Sequence, residues 1–281
     1  MSLPPVLSYF QTAPLLEARK MNRSTARSSV DLGLNEVNVN LEPGWVDFPE
    51  NIKIPWELIE EIQLNHKACY LYENGNLEKI QRFSSTTNRF CSLYPTESAP
   101  TLVLGGFPMH RIKGTNPYLD TLSKIHALRP MGAVLDTATG LGYTAIQASQ
   151  NADSVTTIEL DPAVLEVARL NPWSRDLFNN RKISLRVGDS FEVIQNLSDN
   201  DFTCILHDPP TISLAGDLFS LEFYNQLYRV LQRKGRLFHY IGDLESRSGH
   251  HLSRGIANRL SQVGFRRIQL EPRAFGILAY K

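Results

Sequence analysis

The chain has 281 residues, with 29 Lys and Arg against 29 Asp and Glu, and its formal net charge is zero. This length suits one large domain or one domain plus a smaller module, and 42% hydrophobic residues exclude a globally disordered chain. No apolar run reaches the ~20 residues of a membrane helix, and the first residues lack the pattern of a signal peptide. The 3 cysteines stand far apart without a CxxC pair, which argues against a disulfide framework or a zinc ribbon. We therefore expect a cytoplasmic protein without a membrane partner.

The first part of the chain predicts two segments. Residues 1–35 are rich in Ser, Arg and Pro and have no sustained periodicity, so we expect a flexible N-terminal arm. Residues 36–115 carry short runs typical of strands, including a hairpin around the turn at Asn74-Gly75 and a helix that begins after Pro55. This second segment predicts a small β-rich module.

From residue 116 onward, strands and helices alternate. Asn116 is a good helix N-cap and Pro117 a good first helical residue, so we expect a helix from there to about Leu128. The pattern predicts strands at 133–136, 155–159, 183–187, 203–207 and 236–241, and helices at 142–150, 162–170, 190–197, 217–232 and 250–263. Two further strands, 266–270 and 274–280, are too close together for a crossover helix and must be antiparallel. We therefore predict an α/β fold for residues 116–281: a doubly wound, mostly parallel seven-stranded sheet with an antiparallel C-terminal hairpin.

In such sheets ligands bind beyond the carboxyl ends of the strands, so the residues just past each strand are candidate contacts. A glycine-rich turn begins at Asp136, and its Gly140 and Gly142 permit a close approach of the backbone to a ligand. Glu159 ends the second strand, where a carboxylate can accept hydrogen bonds from ribose hydroxyls. Asp189 follows the third strand and can cap the next helix or accept from an adenine amino group. No Lys or Arg closely follows these strands, which favours an adenosine without a phosphate.

The fourth strand is followed by the loop Asp208-Pro209-Pro210. Two successive prolines fix φ and remove two N–H donors, so we expect Asp208 and its carbonyl to be held rigidly at the site. Such acceptors suit an amine nucleophile, because they can aim its lone pair and stabilise its growing positive charge. The carboxylate of Asp208 is also a candidate proton acceptor.

The order of these motifs resembles the class I S-adenosylmethionine-dependent methyltransferases. More closely, strings such as DTATGLGYTA at 136–145 and GRLFHYIG at 235–242 resemble a family of predicted methyltransferases related to spermidine synthases. The resemblance implies S-adenosylmethionine as the cofactor, with Asp208, Pro209 and Pro210 facing the acceptor. The expected cofactor-binding residues are Asp136, Thr137, Gly140, Gly142, Tyr143, Glu159, Leu160, Asp189, Ser190 and His207.

The sequence departs from the methyltransferase pattern at two positions. Ala138 replaces the usual first glycine of the turn, which is a minor change. Thr211 follows the Asp-Pro-Pro motif, whereas enzymes that methylate the amino groups of nucleobases commonly have a stacking aromatic residue there. The second departure weakens the expectation of a nucleobase as the acceptor.

Three other functions fit part of the pattern. An aminopropyltransferase that uses decarboxylated S-adenosylmethionine would need the same fold and the same aspartate after the fourth strand. A nicotinamide-dependent oxidoreductase is favoured by the G-x-G-x-x-A string at 140–145, but residues 136–139 separate this string from the strand it should follow directly. A non-catalytic adenosine-binding protein would not need the Asp-Pro-Pro loop.

The net charge of zero conceals two blocks of opposite charge. Residues 131–224 hold 5 basic and 13 acidic residues, whereas residues 225–281 hold 11 basic and 3 acidic residues. The acidic block suits a cationic cofactor or a polyamine, and the basic block suits an RNA backbone. RNA and small amines therefore both stay open as methyl acceptors. No HxH or HxxxH spacing occurs, so we expect no metal site, and the sequence leaves the oligomeric state open.

Overall fold

The computed structural model describes residues 4–244 and 247–281. Its contacts divide the chain into two compact units. The first, called here the β unit, comprises Met1–Tyr118 and Ala163–Arg175, and the second, called the sheet unit, comprises Leu119–Pro162 and Asp176–Lys281. Every residue expected to contact the cofactor or the acceptor belongs to the sheet unit.

Within residues 4–118 the strands form three antiparallel sheets. The strands are β1 (Val6–Leu7), β2 (Thr25–Ser28), β3 (Val37–Leu41), β4 (Trp45–Phe48), β5 (Ile52–Pro55), β6 (Tyr70–Glu73), β7 (Asn76–Lys79), β8 (Gln81–Ser84), β9 (Arg89–Tyr94), β10 (Thr101–Leu104) and β11 (Phe107–Pro108). Their orders are β1-β6-β7, β2-β3-β4-β5 and β11-β10-β9-β8. The expected hairpin is confirmed, because β6 and β7 pair around Asn74-Gly75.

The expected arm is instead regular structure over much of residues 4–35. Helix α1 (Tyr9–Lys20) begins with a capping box, in which Ser8 caps the first turn and the Gln11 side chain accepts from the Ser8 N–H at 3.0 Å. Leu15 of α1 is completely buried in one apolar core with Ile59 of helix α2 (Trp56–Leu64). Spaced apolar residues and a cap therefore order a segment whose polar composition had suggested mobility.

The sheet unit contains a seven-stranded sheet in the order β14-β13-β12-β15-β16-β18-β17. Its strands are β12 (Gly132–Asp136), β13 (Ala152–Glu159), β14 (Ile183–Val187), β15 (Phe202–His207), β16 (Leu231–Tyr240), β17 (Arg266–Glu271) and β18 (Gly276–Tyr280). The first five run parallel, and β18 lies antiparallel to both of its neighbours. The predicted mostly parallel sheet with an antiparallel C-terminal hairpin is confirmed.

Helices occur close to the positions that the sequence predicts. They are α3 (Pro117–Leu128), α4 (Tyr143–Ser149), α5 (Pro162–Leu170), α6 (Arg175–Asn179), α7 (Ser190–Val193), α8 (Leu221–Val230) and α9 (Arg247–Val263). The predicted helix at 217–232 is shorter, because Leu231 is completely buried and pairs with Phe202 as the first residue of β16. The short helix α6 was not predicted.

The topology fixes where a ligand can bind. Strand β12 lies between β13 and β15, so the order of the strands reverses direction at β12. Leu135 of β12 pairs with Ile205 of β15, which pairs with Leu237 of β16, and all three are completely buried. This apolar row makes the middle of the sheet rigid. The loops beyond the carboxyl ends of β12 and β15 therefore flank the switch point at which such sheets bind ligands.

Candidate functional site

Glycines in left-handed conformations build the turn after β12. Gly140 has a φ of +54° and Gly142 a φ of +79°, values that residues with a side chain rarely adopt. A Cβ atom on Gly142 would lie 2.7 Å from Cδ2 of Leu177, so packing also requires a glycine at this position. Tyr143, the first residue of α4, is buried. The expected tight turn is therefore present beside the strand ends.

Asp136 ends β12 with its side chain buried, at 1% exposure. Its Oδ2 accepts hydrogen bonds from the hydroxyls of Thr144 at 2.8 Å and Thr157 at 3.3 Å. Burial and, to a smaller extent, the negative charge of Asp208 raise the pKa of Asp136 to about 7, against the lowering effect of its hydrogen bonds. This carboxyl is thus prepared for a partner that favours its ionised form.

Glu159 connects the end of β13 to the glycine turn. Its Oε2 accepts from the N–H of Gly140 at 2.8 Å, and its Oε1 accepts from the N–H of Asp161 at 3.0 Å. Burial raises the pKa of Glu159 to about 7, although both backbone hydrogen bonds lower it. Each oxygen of a carboxylate has a second lone pair. The residue can therefore hold the turn in place and still accept hydrogen bonds from a ligand.

Two residues after β14 contribute in different ways. Asp189 is exposed and caps α7, where its Oδ1 accepts from the N–H of Phe191 at 2.8 Å. Ser190 is buried and donates its hydroxyl to the carbonyl of Thr137 at 2.6 Å, which ties the third strand end to the first. Leu160, the residue after β13, is 47% exposed and offers an apolar surface beside these groups. The cap role of Asp189 is present, and its binding role stays a prediction.

His207, expected to contact the cofactor, lies completely inside the protein. Its Nε2 donates to the carbonyl of Leu218 at 2.9 Å, so its Nδ1 accepts from the hydroxyl of Thr137 at 2.7 Å. Burial lowers the pKa of His207 to about 3, so the ring is neutral. Both ring nitrogens are engaged by protein groups. The side chain therefore holds Thr137 in place, and its contact with the cofactor stays a prediction.

Asp208 forms a buried ion pair that the sequence analysis missed. Its Oδ2 accepts from Nζ of Lys124 at 2.6 Å, and the Lys124 side chain is only 2% exposed. Lys124 also lies 3.0 Å from Oδ2 of the completely buried Asp120 and 4.3 Å from the ring centroid of Tyr240. Burial alone would lower the pKa of Lys124, but the charges of Asp208 and Asp120 outweigh it and raise the pKa above its usual value. The ammonium is therefore charged.

One signal in the sequence could have indicated this lysine. Asp120 and Lys124 are four residues apart on α3, a spacing that places them on one face of the helix. The same face carries Thr121, Ile125 and Leu128, all of which are buried. A charged pair on the apolar face of a helix is unusual, because Lys and Asp are almost never fully buried unless they are paired. The pairing with Asp208, 84 residues away, is not visible in the sequence.

The carboxyl groups of the site fit a cationic ligand with hydroxyl groups. Within residues 4–244 and 247–281, neither Asp136 nor Glu159 forms an ion pair, although both are buried. An uncompensated buried carboxyl gains from a positively charged ligand, and ribose hydroxyls are natural donors to it. The residues that would hold an S-adenosyl ligand are the glycine turn, Asp136, Glu159 and Asp189.

The described residues contain no group of three or more His, Cys, Asp and Glu side chains arranged to hold a metal ion. In the same part of the chain, every helix is too short or too polar to cross a membrane.

Comparison with known proteins agrees with this fold. The family model described as the spermine/spermidine synthase domain matches residues 97–271. An uncharacterized protein of Methanocaldococcus jannaschii, MJ1233, is 37% identical over 270 residues, which cover 93% of this chain and 92% of that protein.

Solved structures show the same fold at low identity. A spermidine synthase in complex with the transition-state analogue AdoDATO is similar with a TM-score of 0.57 and 17% identity, over 73% of this chain and 75% of that one. The spermidine synthase of Thermotoga maritima gives a TM-score of 0.56 and 16% identity, over 75% of this chain and 77% of that one. With the family model spanning more than half of its length, the chain belongs to the spermine/spermidine synthase domain family and is an enzyme with the Rossmann-like methyltransferase fold.

Proposed function

We propose that this enzyme is an S-adenosylmethionine-dependent methyltransferase that acts on an amine nitrogen held at the Asp208-Pro209-Pro210 loop. The acceptor is an amine that is uncharged at neutral pH, in RNA or in a small molecule. When bound, S-adenosylmethionine supplies an electrophilic methyl carbon on a sulfonium. The other requirements of the reaction fall to residues of this chain.

Asp136 and Glu159 support binding of the methyl donor. Both are buried carboxyls whose pKa lies near 7. A positively charged or hydroxyl-bearing ligand would stabilise each of them as a carboxylate. Among the described residues, no side-chain cation forms an ion pair with either. The methyl donor carries a positive charge and two ribose hydroxyls, so it can supply both a cationic partner and hydrogen bonds to these carboxyls.

The observation that carries the choice of methyl transfer is the ion pair between Lys124 and Asp208. A polyamine brings several ammonium groups, and one of them would have to approach Asp208 beside an ammonium already 2.6 Å from its Oδ2. Like charges brought together in this way cost binding energy. An uncharged amine meets no such repulsion, and its nitrogen can attack with the lone pair it already has.

The Asp-Pro-Pro loop gives the attacking nitrogen its orientation. As the new N–C bond forms and the C–S bond breaks, positive charge moves from the sulfonium to the nitrogen, which then loses a proton. Carboxylate and carbonyl oxygens aimed at the nitrogen stabilise this charge where it develops. Asp208 and the backbone fixed by Pro209 and Pro210 are the groups of this chain suited to that role.

A second candidate is aminopropyl transfer from decarboxylated S-adenosylmethionine. It is favoured by the match of residues 97–271 to the spermine/spermidine synthase domain. The excess of acidic residues in 131–224 also suits a cationic acceptor. Both reactions use an adenosyl sulfonium as the donor, so binding of such a donor is compatible with either reaction. The two reactions differ in which of the two donors binds more tightly and in which group is transferred.

The test compares both donors on the purified protein. Calorimetry with S-adenosylmethionine and its decarboxylated form should give tighter binding of the former, and radiolabelled methyl transfer should appear in a screen of RNA, small aromatic amines and polyamines. Asp208→Ala is the control that should abolish transfer while the protein stays folded. Tighter binding of the decarboxylated donor, with aminopropylated polyamine as the product, would replace methyl transfer by the second candidate.

A further inference from the structure

We infer that Lys124 is the positioning residue of this site: its buried ammonium, held by Asp120, fixes the Asp208 carboxylate beside the acceptor and keeps it ionised. This inference rests on the proposed function for its catalytic consequence, but its electrostatic content can be measured without turnover. The contacts that carry it come from three separate elements of the sheet unit.

The groups that face Lys124 all favour a fixed ammonium. From its own helix, α3, Asp120 approaches to 3.0 Å with a side chain that is completely buried. From the loop after β15, Asp208 approaches to 2.6 Å with a side chain that is 17% exposed. From the end of β16, the ring of Tyr240 lies 4.3 Å from Nζ. Asp136 senses the charge of Asp208, so the two carboxyls at the switch point are coupled.

The difference in exposure indicates that Asp120 and Lys124 hold Asp208 in place rather than the reverse. Asp120 and Lys124 are buried and belong to one helix, so they form a rigid base. Asp208 is the member of the triad that still reaches solvent, and it leads into the two prolines of the loop. Through its contact with Asp208, the lysine therefore fixes the position of the carboxylate that faces the acceptor relative to α3.

Stability alone gives a weak reason for such a triad. Replacing a buried ion pair by well-packed apolar side chains is often neutral or stabilising, because each charge loses its hydration on burial. A buried lysine between two aspartates is better explained by what it does to Asp208. Its positive charge, 2.6 Å from Oδ2, favours the ionised form of that carboxylate.

The same contact limits the chemistry of Asp208. A carboxylate already bound to an ammonium is a weaker base than one without a partner, because protonation would break the ion pair. Asp208 therefore acts by orienting the acceptor and stabilising positive charge on it, and the proton of the product nitrogen leaves to solvent. Without Lys124, the ionised form of Asp208 would lose the stabilisation that this ammonium provides.

The test uses Lys124→Met and Lys124→Arg in the full-length chain. For Lys124→Met we expect at least a tenfold fall in kcat, a Kd for S-adenosylmethionine within about twofold of the wild type, and a new ionisation in the pH profile of kcat. Lys124→Arg keeps the charge, so its pH profile should stay flat like that of the wild type even where its rate is lower. Unchanged kcat and an unchanged profile in folded Lys124→Met would overturn the inference.

A second measurement is independent of activity. In protein labelled with carboxyl ¹³C-aspartate, the Asp208 resonance, assigned by its loss in Asp208→Asn, should not titrate between pH 5 and 9 in the wild type and should titrate in Lys124→Met. If Lys124→Met does not fold, the pair Asp120→Asn with Lys124→Met removes one uncompensated charge and gives the same readout. A wild type without methyl transfer would reject the proposed function but not this inference, whereas an Asp208 signal that titrates in the wild type would reject the inference alone.

Discussion

Two regions at the same edge of the sheet contain carboxyl groups with different kinds of partner. Asp136, with Glu159 beside it in the turn network, is surrounded by hydroxyl and amide donors and has a pKa near 7. Asp208 is bound by the ammonium of Lys124, which Asp120 also holds. The first region keeps carboxyls whose charge is not compensated within the described chain. The second pairs its two carboxylates with one buried ammonium.

The difference shows how one sheet edge can separate binding from reaction. A carboxyl without a cationic partner gains most when a cation arrives, so we propose that the first region binds the donor. A carboxylate in a fixed ion pair changes little when a ligand arrives, so we propose that the second region orients the acceptor. Substitutions in the two regions should therefore change different constants.

The largest effect is expected at Asp208. Asp208→Asn removes the charge that stabilises the developing positive nitrogen, so kcat should fall on the order of 100-fold or more. The Kd of S-adenosylmethionine, measured by calorimetry, should stay within about threefold, because the donor contacts lie in the other region. Asp217→Asn, at an exposed acid of the same unit, is the matched control and should change neither constant. A rise in Kd equal to the fall in kcat would contradict the separation of the two regions.

Asp136→Asn should give the opposite pattern. The amide keeps the shape of the side chain but has no charge for a sulfonium ligand, so the Kd of S-adenosylmethionine should rise about 10- to 100-fold, as for loss of a hydrogen-bonded charge. Asp153→Asn, at an exposed position in β13, should leave the Kd unchanged. Wild-type affinity in folded Asp136→Asn would show that this carboxyl does not serve the donor.

Donor affinity should depend on pH through the first region only. The pKa values of Asp136 and Glu159 are raised to about 7, so below that pH each must lose a proton before it can bind a cation as a carboxylate. The affinity for S-adenosylmethionine should therefore rise about tenfold between pH 5.5 and 8.5. Calorimetry in buffers of different ionisation enthalpy measures the proton release. In the variant with both Asp136→Asn and Glu159→Gln, only the titration of the ligand itself should change the affinity with pH. If the affinity of that variant changed with pH as much as that of the wild type, these carboxyls would not cause the pH dependence.

The smallest effect is expected at Thr144, whose hydroxyl donates to Asp136 at 2.8 Å. This hydrogen bond lowers the pKa of Asp136. Thr144→Val should therefore raise that pKa and weaken donor binding at pH 7 about two- to fivefold, the worth of one hydrogen bond. Thr144→Ser keeps the hydroxyl and should bind like the wild type. If Thr144→Val also lowered kcat with saturating donor, the two regions would be coupled more strongly than their contacts indicate.

Much of the sheet unit could be predicted because its signals are local. Apolar runs separated by helical stretches gave the strands, and the short connection between the last two strands required an antiparallel hairpin. Asp136, Glu159 and Asp208 were found because each lies at or directly after the carboxyl end of a strand, and these ends must lie at one edge. The α1 segment was missed because its polar composition outweighed the local signal of the Ser8–Gln11 capping box, and the burial of Leu15 involves residues distant in the sequence.

The sequence by itself determined the class of fold, the edge of the sheet at which we propose the site, and the residue types at that edge. Only the tertiary structure decided which of those residues have partners. It put His207 inside the protein to hold Thr137, and it placed Lys124 against Asp208. The reason is physical: a strand or a turn follows from the order of neighbouring residues, whereas the charge state of a buried group depends on whichever side chains the fold brings within a few ångströms of it.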